Sequence, residues 1–278
     1  EVIRTVSSLR AFTQQFRDQR KTIGLVPTMG ALHDGHISLV KQAQSENDAV
    51  IVSIFVNPKQ FGPNEDFDAY PRTWESDLDK LTAAKTDAVY HPAIPEMYNA
   101  NAATSIHVSG VSEGLCGAER PGHFDGVALV VTKLLLQCLP HKAYFGEKDF
   151  QQLQVIKRMT HDLNIPVDIC GVPIMRDENG LALSSRNAYL SAEQYRTAIK
   201  LNRILFDMAD NIKSGKALKT VLENGRQQLE KAGFDAVDYL DICDAETLRP
   251  ASETNERPMR ILTAVKLGKA RLIDNVGL

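Results

Sequence analysis

Between residues 22 and 171 the chain alternates short, nearly unbroken apolar runs with longer stretches whose apolar positions recur every three or four residues. A short β-branched run bounded by turn residues suits a buried strand, whereas the longer period suits a helix with one buried face. These patterns predict strands at 22–27, 49–56, 88–90, 143–145 and 167–171, and helices at 36–46, 73–84, 124–138 and 150–163. Ile51-Val52-Ser53-Ile54-Phe55-Val56 is apolar at nearly every position, as expected of a central strand covered on both faces. Strands and helices in strict alternation predict a mostly parallel sheet flanked by helices, a Rossmann-like α/β domain over 1–172.

After Pro173 the pattern changes. Residues 191–213 and 217–232 carry helical periodicity, the second with Val221, Leu222, Leu229 and Ala232 on one side. A strand is predicted at 235–243, and 259–266 with 270–274 reads as a hairpin about Leu267-Gly268-Lys269. The expectation is a smaller α+β domain over 173–278, and 278 residues are enough for two cores.

Charge and composition narrow the partners. A formal net charge of −3 argues against a duplex nucleic-acid binder, yet leaves room for a local cationic cluster around a small anion. The longest apolar stretch, 127–139, is interrupted by Lys133 and is too short to span a bilayer. The N-terminus shows no signal-like apolar run, so neither membrane nor export is expected. Cys116, Cys138, Cys170 and Cys243 share no C-x-x-C spacing, and three of them sit in apolar surroundings. They read as core thiols of a cytoplasmic protein.

Candidate chemistry gathers where predicted strands hand over to helices. Pro27-Thr28-Met29-Gly30-Ala31-Leu32-His33-Asp34-Gly35-His36 joins the first strand to its helix. A glycine turn leading into a helix N-terminus offers free backbone N–H groups and a favourable dipole to a phosphate. Two histidines three apart, with a glycine between them, suit N–H donors to phosphate oxygens better than the four-residue spacing of zinc proteases.

Asn57-Pro58-Lys59-Gln60-Phe61 lies just past the central strand, on the edge where open parallel sheets bind ligands. Its amides can meet hydroxyls or a carboxylate without adding charge. Taken alone, it could also be an ordinary solvated loop.

Ala143-Tyr144-Phe145-Gly146-Glu147-Lys148-Asp149-Phe150-Gln151-Gln152 repeats the strand–glycine–helix plan. Lys148 can neutralise phosphate, Asp149 can cap the helix or meet a ribose, and Gln152 follows on the same face. Leu183-Ser184-Ser185-Arg186-Asn187 places two hydroxyls beside a guanidinium, a compact anion grip. Arg120-Pro121-Gly122-His123-Phe124 is a less specific donor pair before a helix. Nucleophile-elbow, P-loop and dinucleotide-fingerprint spacings do not occur. Phosphate donors around an α/β sheet, with no nucleophile, suit in-line attack on a nucleotide phosphate.

Together these segments, with Asp68-Ala69-Tyr70-Pro71-Arg72-Thr73 and Phe55 to Gly62, resemble the pantoate–β-alanine ligase family of the nucleotidyltransferase superfamily. The motifs run in order and cover essentially the whole chain. H-x-G-H alone would specify only the superfamily, while N-P-x-Q-F and G-E-K-D-x-Q-Q-L narrow it. Asp34 and Lys59 stand at positions the family leaves variable, and Leu183 where many members carry methionine.

The resemblance implies ATP-dependent condensation of (R)-pantoate with β-alanine through a pantoyl adenylate, giving pantothenate, AMP and pyrophosphate. It also implies Mg²⁺ as the partner of ATP and a cytoplasmic homodimer. His33, His36, Lys148 and Arg186 are the implied catalytic residues. ATP is implied to meet Met29, His36, Gly146, Glu147, Lys148, Asp149, Val172, Leu183, Ser184, Ser185 and Arg186. Pantoate is implied at Met29, Gln60 and Gln152, with Asn57, Tyr70, Arg120 and His123 bordering the substrates. Asp77 is the weakly supported carboxylate for the metal. A mixed anhydride exposed to water would hydrolyse, so the second domain is expected to act as a lid. A cytidylyl- or adenylyltransferase relative would share the histidines and the serine–arginine loop, with less reason for both glutamines. A nucleotide sensor would have no need of the full donor set.

Overall fold

The computed structural model describes residues 1–63, 65–253 and 257–278. The chain falls into two compact units. One comprises Glu1–Ser109, Arg120–Glu147 and Val155–Pro173; the other comprises Gly110–Glu119, Lys148–Gln154 and Ile174–Leu278. Segments 110–119 and 148–154, expected in the first domain, group with the second.

The first unit is built on a parallel sheet of β1 (Val2–Ile3), β2 (Ile23–Thr28), β3 (Ala49–Ile54), β4 (Ala88–Tyr90), β5 (Lys142–Gly146) and β6 (Asp168–Val172), in the order β1-β4-β3-β2-β5-β6. Along residues 1–173 the helices are α1 (Val6–Asp18), α2 (Asp34–Glu46), α3 (Trp74–Ala83), the short α4 (Ile94–Met97) and α5 (Cys116–Glu119), α6 (His123–Cys138) and α7 (Phe150–Asp162); α5, and α7 as far as Gln154, belong to the second unit. Every residue of β3 is buried, as its apolar run requires. Val26, Leu39, Val40, Ala43, Val52, Leu81 and Tyr144 form a core on one side of the sheet. The predicted strand 49–56 stops at Ile54, because Asn57 starts a 3-10 turn over Pro58–Gln60.

Strand order reverses beside β2, with β3 and β4 on one side and β5 and β6 on the other. β2 pairs with β3 along its whole length, from Ile23↔Ala49 to Thr28↔Ile54. With β5 it pairs only at Gly24↔Lys142 and Leu25↔Ala143. Pro27 supplies a reason. Ile23, of the same parity, turns its carbonyl to the His141 N–H at the β5 edge, so Pro27 presents its missing N–H on that side. The ladder between β2 and β5 ends before Pro27, beside the switch point where open α/β sheets bind ligands.

The second unit carries an antiparallel sheet β7-β8-β9 (Ala236–Asp244, Met259–Leu267, Ala270–Gly277). Against it pack α8 (Ala192–Lys213) and α9 (Leu218–Ala232), joined in one core by Leu201, Leu205, Met208, Leu229, Leu240, Ile261 and Val265. The smaller α+β architecture is the one the periodicity predicted. No helix among the described residues is long and apolar enough to cross a membrane.

Candidate active site

The loop after β2 is shaped from behind by α3. Gly30 has φ +86° and Ala31, with a side chain, φ 51°. A Cβ on Gly30 would stand 3.1 Å from Asp77 Oδ2 and 3.2 Å from Ile54, so glycine admits both the conformation and the carboxylate. Asp77, 1% exposed, accepts the Ala31 N–H at Oδ2 (2.9 Å) and the Leu32 N–H at Oδ1 (2.8 Å). Its Oδ1 also accepts the Thr73 hydroxyl at 3.2 Å. Asp77, expected beside the metal, thus has both oxygens engaged by the loop backbone and is sealed from solvent. Among the described residues no cluster of three or more His, Cys, Asp or Glu side chains is arranged to hold a metal.

The histidine pair sits at the start of α2 in a reciprocal cap. His33 Nδ1 accepts the Gly35 N–H (3.2 Å), and His36 Nδ1 accepts the His33 N–H (3.3 Å). A ring nitrogen that accepts a backbone N–H carries no hydrogen, so each neutral imidazole bears its proton on Nε2. With ring centroids 4.1 Å apart, the pair offers two Nε2–H donors at a helix N-terminus without needing a positive charge.

Beyond β3, Asn57 is 1% exposed and Gln60 9%. Asn57 Nδ2 donates to Gln60 Oε1 (3.0 Å) and to the Gly126 carbonyl (3.1 Å), and Gln60 Nε2 donates to Met29 Sδ (3.1 Å). The structure thus joins Met29, Asn57 and Gln60 directly. His123 Nδ1 donates to the Gln60 carbonyl (2.8 Å), while its Nε2 accepts from Arg120 Nη1 (3.0 Å). Arg120 grips Glu65 through Nε and Nη2, each at 2.6 Å. Burial works against ionising Glu65, but the guanidinium outweighs it and holds the carboxyl below its usual range. Arg120 and His123 therefore brace the Gln60 turn. Tyr70 is buried and meets Phe61 edge-on, with ring centroids 5.9 Å apart.

α6 can lie against this turn only because residue 126 is glycine. A Cβ there would overlap the Lys59 carbonyl and stand 2.7 Å from the Gln60 nitrogen. Gly126→Ala is expected to cost about 1–3 kcal/mol of stability through overpacking against rigid backbone. It should also displace the Gln60 turn; denaturant unfolding checks the first and steady-state kinetics the second.

Gly146 and Val172 end β5 and β6 as register partners, and a Cβ on Gly146 would meet nothing within 4 Å. Glu147, half-buried, opens the 3-10 turn Glu147–Asp149 that leads into α7.

In the second unit, Lys148 Nζ lies 3.7 Å from Asp149 Oδ2. Lys148 and Ser184 line one cleft with Asn187 and Asp274. Ser184 caps the 3-10 turn Ser185–Tyr189 by accepting the Arg186 N–H at 3.3 Å, and the Leu183 N–H donates to the Met175 carbonyl at 2.9 Å. The two adjacent glutamines divide their work. Gln151, 4% exposed, accepts the Cys116 N–H and donates to the Val111 and Gly114 carbonyls. Gln152 is half-exposed. Arg176, which the motifs did not single out, pairs with buried Asp274 (2.7 and 2.8 Å) and donates to the Gly180 carbonyl, holding the chain that leads to the serine–arginine loop.

A parallel sheet with a strand-order switch point, and paired imidazoles on the helix that follows, is the arrangement on which α/β nucleotide-binding proteins hold phosphate. The pantoate-beta-alanine ligase family model matches residues 1–277. Pantothenate synthetases of Paramagnetospirillum magneticum and Rhodospirillum rubrum are 54% and 51% identical, covering 99% of this chain and 97% and 98% of theirs. A crystal structure of the Thermus thermophilus pantothenate synthetase superposes with a TM-score of 0.94 at 45% identity, over 99% of this chain and 98% of that one. The Francisella tularensis pantoate-beta-alanine ligase, solved with beta-gamma ATP and beta-alanine, gives 0.83 at 36%, over 99% and 96%. The chain belongs to the pantoate–β-alanine ligase family.

Proposed function

We propose that the chain performs its family's ATP-dependent condensation in two steps on the side chains described above. A carboxylate oxygen of (R)-pantoate attacks the α-phosphorus of ATP and displaces pyrophosphate. The amine of β-alanine then attacks the acyl carbon of pantoyl adenylate, giving pantothenate and releasing AMP. The observation that carries this reading is the reciprocal histidine cap, which fixes two Nε2–H donors where a phosphate can meet them.

In this reading His33 and His36 stabilise charge developing on the phosphate oxygens. Lys148, Ser184, Ser185 and Arg186 hold the departing pyrophosphate, as point charge, hydroxyls and forked guanidinium respectively. Gly146, Glu147, Asp149, Val172 and Leu183 serve the nucleoside. Gln60 and Gln152 meet the polar groups of pantoate, and Met29 its gem-dimethyl group. Mg²⁺ enters as the counter-ion of ATP, coordinated by phosphate and water, since Asp77 is already engaged. A homodimer working in the cytoplasm completes the proposal.

Isotope exchange between ATP and pyrophosphate tests it. Exchange is expected to require pantoate and not β-alanine, and adding β-alanine should yield AMP and pantothenate in equal amounts. Exchange that ignores pantoate, or none from folded protein, overturns the reading.

A further inference from the structure

Behind the substrate glutamine, three side chains are wired in one direction. Asn57 cannot reverse its amide, because main-chain groups hold both ends. The Lys59 N–H donates to Oδ1 (3.3 Å), and the Gly126 carbonyl accepts from Nδ2 (3.1 Å). The second Nδ2 hydrogen goes to Gln60 Oε1, which turns the Gln60 NH₂ away from Asn57, with Met29 Sδ as its acceptor here. At the other end, the Tyr98 hydroxyl meets Asn57 Oδ1 at 2.8 Å and can only donate to it.

Tyr98 is 9% exposed, with its ring centroid 6.1 Å from that of Phe55. Burial pushes its phenol well above the ordinary tyrosine range, so it remains a donor. The ammonium of Lys59 stands 4.8 Å from its ring and that of Lys133 6.0 Å, which further favours a fixed ring.

We propose that Tyr98 is a positioning residue for pantoate, anchoring the carbonyl end of Asn57 and, through it, polarising the Gln60 amide. Each amide in the series donates at one end while accepting at the other, and such chains strengthen every member. The arrangement leaves the Gln60 NH₂ as the donor end of the series, matched to an acceptor oxygen of pantoate's carboxylate or hydroxyl. The proposal rests on the reading that Gln60 binds pantoate.

Tyr98→Phe keeps the ring and removes only the first donor. Expected is a KM for pantoate raised about fivefold to tenfold, the loss of roughly one hydrogen bond's contribution. The KM for ATP should stay within twofold and the unfolding temperature within a few degrees. In a Gln60→Ala background the same substitution should add nothing, since the amide it serves is gone. An unchanged pantoate KM in Tyr98→Phe, while Gln60→Ala raises it, overturns the relay and leaves Gln60 in place. Equal rises for ATP and pantoate also overturn it, as a general structural effect. If Gln60→Ala itself leaves the pantoate KM unchanged, the binding role of Gln60 fails first and the relay with it.

Discussion

His36→Asn is expected to lower the rate of adenylate formation by about 10²–10³-fold while leaving the fold intact. The magnitude is that of removing one preorganised donor from a site of developing charge. The choice of asparagine follows from the cap. Its Oδ1 falls near the place of Nδ1 and can still accept the His33 N–H, while nothing replaces Nε2. His36→Ala should lose the same catalytic factor and additionally about 1 kcal/mol of stability, the usual worth of a cap. Stopped-flow measurement of pyrophosphate release, beside thermal unfolding of both variants, separates the two roles. Because the donors act where charge develops, the rate should suffer far more than the Kd for ATP. An asparagine variant with the wild-type rate would remove His36 from the chemistry and reduce the pair to a helix start.

The histidine spacing was legible because strand, turn and helix start are local, and backbone N–H groups collect wherever a helix begins. The predicted strands and helices fall close to those observed for the same reason, with apolar period and punctuation deciding each one. What the sequence did not reveal are contacts between distant segments. Asp77 reads in sequence only as a candidate carboxylate for the metal, and the N–H groups it holds lie 46 and 45 residues away. Tyr98 carries no motif and reaches Asn57 across 41 residues. Gln151 and Gln152 are indistinguishable as letters, and only the turn of α7 sends one inward to the 111–116 segment. The regrouping of 110–119 and 148–154 with the second unit follows from such contacts too, since Gln151 ties one to the other. The amphipathic α1, with Leu9 and Phe12 buried, preceded the first strong strand signal and was not anticipated.

Asp77→Ala is expected to destabilise the first unit by about 2–6 kcal/mol, because it strands the Ala31 and Leu32 N–H groups at about 1–3 kcal/mol each. Against a typical total of about 5–15 kcal/mol this is a severe loss, readable as a fall on the order of 10 °C in the first thermal transition. The catalytic consequence follows from Ala31. A side-chain residue at φ 51° costs about 1–2 kcal/mol and persists only where its surroundings demand it. Without the carboxylate, residues 30–32 can relax to ordinary backbone angles. That moves His33, the next residue and the cap of α2; a shift of about 1 Å in such a group costs about 10²-fold in rate. The same variant separates a loop clamp from a metal ligand. A weakened metal site recovers by mass action when Mg²⁺ is raised, whereas a lost clamp does not respond. Raising Mg²⁺ is therefore expected to restore neither the rate nor the melting temperature of Asp77→Ala. Recovery of both would return Asp77 to the metal and leave the shape of the Gly30–Ala31 loop to other contacts.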